Sequence, residues 1–149
     1  MSRSVYVIED EGTTRELCIR FLESALPELN ILGSCADGHE AYGVCLELQP
    51  DLIIIDIGLP DMSGLELLSK FKKNLPDTRI LVYSGVECSE VIKSAWIGQA
   101  DGFVEKSLGM NQMKEAIESV FSGKPYFTQV AAAKIIDLSV SHPIPPKEI

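Results

Sequence analysis

The stretch from Asp51 to Gly64, DLIIIDIGLPDMSG, constrains the fold of this chain more than any other. Its four apolar residues, Leu52 to Ile55, stand between two aspartates, which is typical of a short strand buried on both faces. Because a carboxylate is costly to bury in an apolar core, we expect Asp56 to lie at the carboxyl end of that strand. Pro60, Ser63 and the glycines that follow indicate a constrained loop before a helix.

The rest of the chain alternates in the same way between short apolar runs and helical patterns. The strands are predicted at residues 5–8, 31–35, 52–55, 79–84 and 102–105. The helices are predicted from Thr13 or Thr14 to about 26, from 37–38 to 49, at 63–73, at 89–98 and from about 110 to 120. In the first helix, Leu17, Phe21 and Ala25 have helical spacing, and the predicted cap is Thr13 or Thr14. This alternation predicts an α/β fold, a doubly wound five-stranded parallel sheet with helices on both faces.

Composition limits the classes of function that the chain can have. A length of 149 residues indicates one domain, and the net charge of −9 argues against unaided nucleic-acid binding. The same charge favours a cation site or basic partners, although a solvated acidic surface would also produce it. We predict no membrane span and no signal peptide, and therefore a cytoplasmic protein. The cysteines lack CxxC spacing and are expected to be free thiols: Cys18, Cys35, Cys45 and Cys88.

Polar side chains follow the predicted strands at the points where they end. The first strand is followed by Glu9 and Asp10, the third by Asp56, the fourth ends in Ser84, and the fifth precedes Lys106. Because the carboxyl ends of parallel strands meet at one edge of a sheet, we expect these side chains to converge. Three carboxylates there would repel one another without a cation, and Mg²⁺ prefers such oxygen ligands. A carboxylate nucleophile, a metal, a hydroxyl and a lysine are the groups needed to accept a phosphoryl group.

With these residues the chain resembles the receiver domain of two-component response regulators. The resemblance covers about residues 3–122 and lies in four stretches: VYVIED at 5–10, DLIIIDIGLPDMSG at 51–64, ILVYSG at 80–85 and DGFVEK at 101–106. It implies a flavodoxin-like fold and a phosphorylation-dependent change of partner binding. It also implies that the chain is a phospho-acceptor rather than an enzyme.

The resemblance also implies a role for each site residue. Asp56 is similar to the phospho-acceptor, which forms an acyl phosphate from the phosphohistidine of a sensor histidine kinase. Mg²⁺ is expected at Glu9, Asp10, Asp56 and the backbone carbonyl of Gly58. Ser84 is similar to the switch hydroxyl, Lys106 to the invariant lysine and Phe103 to the rotating aromatic residue. The expected readout surface consists of the fourth helix, the fifth strand and the fifth helix.

The chain departs from the receiver pattern at several of these positions. Glu9 stands where Asp is commoner, and its longer side chain can reach the metal through water. Ser84 replaces the frequent Thr and loses a methyl group that restricts the rotamer. Ser107 follows the lysine where many receivers have Pro. Gly58 and Val86 flank the pocket where other receivers often have polar side chains, so the lifetime of the acyl phosphate is left open.

Other classes of function fit the sequence less well. A nucleotide-binding loop would need Lys after the GxxxxG of residues 33–38, where His39 stands instead. A phosphatase with an aspartyl nucleophile usually has DxD, and Gly58 occupies the second acidic position. A stand-alone receiver that acts as a phosphorylation-dependent interaction module remains an alternative. Taken singly, Lys106 could be a surface lysine, Ser84 a helix cap and Phe103 a core residue.

The remaining residues, 123–149, are predicted to form a linker after a receiver domain at 1–122. Gly123 and Pro125 end the fifth helix, a short sixth helix is predicted over 130–138, and the last nine residues, SHPIPPKEI, carry three prolines. This tail resembles the linker of NarL/LuxR-type regulators. The resemblance implies transcription regulation through a helix-turn-helix domain absent from these residues. It also implies a possible homodimer on phosphorylation and no contact with a membrane.

Overall fold

A parallel β-sheet runs through the centre of the computed structural model, which describes residues 2–86, 88–128 and 131–136. Within those residues six strands form one sheet in the order β2-β1-β3-β4-β5-β6. The strands are β1 Ser4–Ile8, β2 Asn30–Cys35, β3 Leu52–Ile55, β4 Arg79–Ser84, β5 Gly102–Glu105 and β6 Tyr126–Phe127. The helices are α1 Gly12–Ala25, α2 Gly38–Leu48, α3 Gly64–Asn74, α4 Ser89–Ile97 and α5 Met113–Phe121. Two 3-10 turns, Lys106–Leu108 and Met110–Gln112, separate β5 from α5.

The predicted α/β class and parallel sheet are confirmed, but the predicted number of strands is wrong. The sixth strand, β6, pairs in parallel with β5, with Gly102 opposite Tyr126 and Phe103 opposite Phe127. Two residues next to a proline carry no alternating pattern, and the sequence therefore did not indicate a strand there. Part of the stretch assigned to a linker thus packs against the sheet. Residues 131–136 are helical, while the remainder of the predicted linker helix and the proline-rich tail lie outside the described residues.

Side chains of β3 enter apolar cores on both faces of the sheet. Ile53 and Ile55 pack with residues of α2, α3 and α4, whereas Leu52 and Ile54 pack with residues of α1 and α5. Successive side chains of a strand point to opposite faces, which explains this division. Each such fully buried side chain stabilises the fold by about 1.5–3 kcal/mol relative to an exposed one. The strand is therefore held rigidly, and Asp56 directly after it has a defined position.

The prediction for α1 is partly wrong. Its buried residues are Cys18 and Leu22, while the side chain of Leu17 is 56% exposed. Phe21 and Ala25 are partly buried and pack against the core that contains Cys18 and Leu22. The predicted cap, Thr13 or Thr14, is wrong: the carboxylate of Glu11 caps the helix and accepts hydrogen bonds from the backbone N–H groups of Thr13 and Thr14.

No helix in the described ranges is long and apolar enough to span a bilayer. All four cysteines are free thiols, as predicted, and Cys88 is exposed while Cys18, Cys35 and Cys45 are buried.

Candidate functional site

Strands β1 and β3 bring three carboxylates to the carboxyl edge of the sheet. The two strands are neighbours, with Ile8 opposite Ile55, and the backbone N–H of Asp56 donates to the carbonyl of Ile8 at 3.0 Å. Glu9 and Asp56 are buried, whereas Asp10 is exposed. One carboxylate oxygen from each of the three lies within 4.8 Å of the other two. The structure therefore brings together the acidic residues that the sequence singled out.

This donor set fits a hard divalent cation. All three side chains offer oxygen atoms, which Mg²⁺ prefers, and three carboxylates at this separation repel one another unless a cation lies between them. Gly58 lies in the loop after β3, where its N–H donates to Asp56 Oδ1 at 3.3 Å. The loop itself is narrow, because Gly58 pairs with Ser63 in an antiparallel bridge.

Lys106 provides a positive charge between two of the carboxylates. Its Nζ lies 2.5 Å from Glu9 Oε1 and 3.0 Å from Asp56 Oδ2. Lys106 directly follows β5, so three different strands supply this ion-pair cluster. The shorter contact, to Glu9, was not anticipated from the sequence, where Glu9 was considered only as a metal ligand.

The pKa values of the two buried carboxylates shift in opposite directions. Burial raises the pKa of Glu9 to about 7, although hydrogen bonds from Lys106 and the Glu11 N–H act in the opposite direction. Burial also raises the pKa of Asp56, but the hydrogen bond and charge of Lys106 outweigh it, so the pKa of Asp56 is lowered overall. The pKa of Lys106 is raised overall, because burial lowers it less than the hydrogen bonds and charges of Glu9 and Asp56 raise it. The lowered pKa of Asp56 favours its charged form, and Lys106 is the main cause.

Two further residues hold the acidic loops in place, and sequence reasoning missed both roles. Arg15 Nη1 donates to the backbone carbonyl of Glu9 at 2.7 Å. Asp61 accepts hydrogen bonds from the N–H groups of Gly38 and His39, each at 2.8 Å, which ties the loop after β3 to the start of α2. Neither role leaves a local signal, because an arginine on a helix and an aspartate in a turn are common without such contacts.

Ser84 and Phe103 lie deeper in the molecule. Ser84 ends β4, is fully buried, and its Oγ accepts a hydrogen bond from the N–H of Val86 at 3.1 Å. It does not cap α4, whose N-cap is Cys88. Phe103 is fully buried on the α4 side of the sheet, where its ring stacks on Phe127 with centroids 6.3 Å apart. The ring of Phe127 in turn meets Trp96 edge-on at 5.2 Å.

Comparison with known proteins places this geometry in a family. The family model "Response regulator receiver domain" matches residues 5–118. The chain is 27% identical over 132 residues to the DNA-binding transcriptional activator DevR/DosR of Mycobacterium tuberculosis, covering 89% of this chain and 60% of DevR/DosR. It is also 27% identical over 121 residues to the nitrate/nitrite response regulator NarL of Escherichia coli, covering 81% of this chain and 56% of NarL.

Solved structures agree with these matches. A two-component response regulator of the LuxR family from Aurantimonas sp. SI85-9A1 superposes with a TM-score of 0.86 at 26% identity, covering 94% of this chain and 99% of that one. The chain spans less than two thirds of the length of the curated relatives named here.

Proposed function

This chain belongs to the family of response regulator receiver domains, and from that membership we propose that it accepts one phosphoryl group on Asp56 from a sensor histidine kinase. The predicted resemblance to the NarL/LuxR type is confirmed by the matches to NarL and to a LuxR-family structure. One observation carries the proposal. Asp56 is held charged 3.0 Å from Lys106 and within a cluster of three carboxylates that fits a divalent cation.

The transfer itself requires little covalent chemistry from the protein. An oxygen of Asp56 attacks the phosphorus of the phosphohistidine, the P–N bond breaks with its electron pair on the imidazole, and an acyl phosphate forms. Lys106 neutralises negative charge on the transferred group, and the rigid end of β3 fixes the attacking oxygen. Mg²⁺ held by Glu9, Asp10, Asp56 and the carbonyl of Gly58 would offset the charge of the phosphoryl oxygens. Because one carboxylate is consumed per group, the chain acts stoichiometrically rather than as an enzyme.

We propose that Ser84 and Phe103 transmit the effect of phosphorylation to the surface of the molecule. The Ser84 hydroxyl can donate to a phosphoryl oxygen, which would shift the loop that follows β4 and change the space around Phe103. The readout surface is formed by α4, β5 and α5, together with β6, which covers the outer edge of β5. A shift from 1:99 to 99:1 between two states requires about 5.5 kcal/mol of differential binding.

The output proposed for this receiver is transcription regulation. DevR/DosR is described as a DNA-binding transcriptional activator, and this chain is similar to it over a receiver-sized stretch. We propose that DNA contact is made by a helix-turn-helix domain outside these residues and that phosphorylation favours a homodimer. A receiver that switches protein partners without DNA is the alternative, and the phosphorylation chemistry is the same in both.

Intact-mass spectrometry tests the acceptor. With Mg²⁺ and acetyl phosphate, wild type is expected to gain the mass of one phosphoryl group, and Asp56→Asn none, because the amide is a poor nucleophile. Asp51→Asn is the matched control, because Asp51 lies at the opposite end of β3, where its carboxylate accepts hydrogen bonds from Ser4. Undiminished labelling of Asp56→Asn would show that the acceptor is misassigned. Continued release of phosphate beyond one equivalent per chain would indicate a phosphatase instead.

A further inference from the structure

The last described part of the chain folds back over the strand that leads to Lys106. We define the C-terminal arm as β6, Thr128 and the helical residues 131–136. The arm approaches β5 closely at Gly102, where an added Cβ would lie 2.9 Å from the carbonyl oxygen of Tyr126. The absence of a side chain at this position is therefore what allows the two backbones to pair.

Thr128 connects the arm to β5 by a hydrogen bond to Glu105, which we call the clasp. Its Oγ1 lies 2.8 Å from both carboxylate oxygens of Glu105, a residue only 1% exposed. The same Oγ1 accepts a hydrogen bond from the N–H of Ala131 at 3.2 Å, and the carbonyl of Thr128 accepts from Ala132 at 2.8 Å. The Thr128 hydroxyl thus binds the N–H of the first of the helical residues 131–136, and Glu105 accepts from the same hydroxyl.

This clasp lies next to the phosphoryl site. Glu105 directly precedes Lys106, whose ammonium contacts Glu9 and Asp56, and it stands opposite Ser84 in the pairing of β4 with β5. A buried carboxylate is costly unless it is hydrogen-bonded, so loss of the Thr128 hydroxyl would disturb the end of β5.

The arm also covers the aromatic residue of the proposed switch. Phe127 stacks on Phe103 and packs against Trp96, while Ala131 is fully buried in the core of the same face. Phe103 cannot move outward on this side without displacing Phe127. The arm therefore contacts β5 at the two residues, Phe103 and Glu105, that lie between the phosphoryl site and the surface.

We propose that the Glu105–Thr128 hydrogen bond couples the C-terminal arm to the phosphoryl site, so that the docked arm positions Lys106 and a phosphoryl group on Asp56 stabilises the docked arm. This coupling rests on the proposed function. A fixed end of β5 reduces the conformational freedom that Lys106 loses when it binds the phosphoryl group, which strengthens that binding. Linkage is reciprocal, so phosphoryl binding must favour arm docking by the same factor. Glu105 and Thr128 are positioning residues in this scheme, since neither touches the phosphoryl group.

The first test compares Thr128→Val, which keeps the shape and loses the hydroxyl, with Thr128→Ser, which keeps the hydroxyl. Calorimetry at saturating Mg²⁺ measures the affinity for beryllofluoride, a mimic of the phosphoryl group. Thr128→Val is expected to bind it about threefold to tenfold more weakly, as the loss of one hydrogen bond implies, and Thr128→Ser like wild type. The affinity for Mg²⁺ alone is expected to change less than the affinity for beryllofluoride, because Lys106 contacts the proposed metal ligands Glu9 and Asp56 but does not itself hold the metal. A variant that merely loses structure would lose both affinities.

The second test needs no variant. Hydrogen exchange of wild-type amides in residues 126–128 and 131–136 is expected to slow when Mg²⁺ and beryllofluoride are added, but not with Mg²⁺ alone. If wild type fails to bind beryllofluoride, the proposed function is wrong and the coupling falls with it. If wild type binds it while exchange in the arm is unchanged, or a folded Thr128→Val binds it equally, the coupling alone is overturned.

Discussion

Glu9 and Asp10 are neighbours in sequence, yet their carboxylates differ in exposure and in contacts. Both oxygens of Glu9 are already engaged, one by Lys106 at 2.5 Å and the other by the N–H of Glu11 at 3.1 Å. Asp10 is exposed at the rim of the same cluster. Direct ligation by Glu9 would require that it release Lys106, whereas Asp10 needs no such rearrangement. We therefore expect Asp10 to be a direct ligand and Glu9 to act on the metal through water.

This difference predicts unequal effects on metal affinity. We expect Glu9→Gln to weaken Mg²⁺ binding by about tenfold, as is typical of a group that acts through a hydrogen bond beside the metal, and Asp10→Asn to weaken it more. Calorimetry on both variants and on Asp51→Asn, which should match wild type, measures the effect. Equal affinities in Glu9→Gln, Asp10→Asn and wild type would remove these residues from the metal site.

The strands and helices differ in how much of them the sequence could reveal. The bounds of β4 and β5 agree with the predicted 79–84 and 102–105, because apolar β-branched runs between turn residues are a local signal. The exposure of Leu17 depends on how α1 rotates against the sheet, which no local pattern specifies. The strand β6 pairs with residues 24 positions earlier in the chain, and the clasp joins Glu105 to Thr128 23 positions later, so neither could be inferred locally. The convergence of the carboxylates and Lys106 could be inferred from the sequence, because a parallel sheet brings the carboxyl ends of its strands together.

Two glycines give a matched test of the close pairing between β5 and β6. In Gly102→Ala the added Cβ would lie 2.6 Å from Leu81 Cδ1 and 2.9 Å from the Tyr126 carbonyl, and we expect a loss of about 1–3 kcal/mol in the free energy of unfolding. Gly43 in α2 has no atom within 4 Å of such a Cβ, so Gly43→Ala should gain up to about 1 kcal/mol from helix propensity. Urea unfolding measures both. Wild-type stability in Gly102→Ala would show that arm docking does not depend on this contact.

The proposed phosphoryl site and the C-terminal arm lie at different places on one sheet. The carboxylates, Lys106 and Ser84 lie at the carboxyl edge, whereas the C-terminal arm adds β6 at the outer side of β5. Buried strands with close-packed side chains transmit displacements rather than absorb them. We therefore propose that a change at Asp56 reaches the arm through Lys106, Glu105 and Phe103 without a large rearrangement of the core.

The charge of the whole chain leads to a prediction about DNA. With 13 Lys and Arg against 22 Asp and Glu, the net charge is −9, and duplex binding depends mainly on cationic contacts to phosphates. We expect these 149 residues not to bind duplex DNA, even at low salt where electrostatic attraction is strongest and even with Mg²⁺ and beryllofluoride present. Fluorescence anisotropy of a labelled duplex measures this, with a basic peptide as positive control for the assay. Tight binding that weakens steeply as salt rises would show that this chain contacts DNA itself, and the proposal that a separate domain makes those contacts would be wrong.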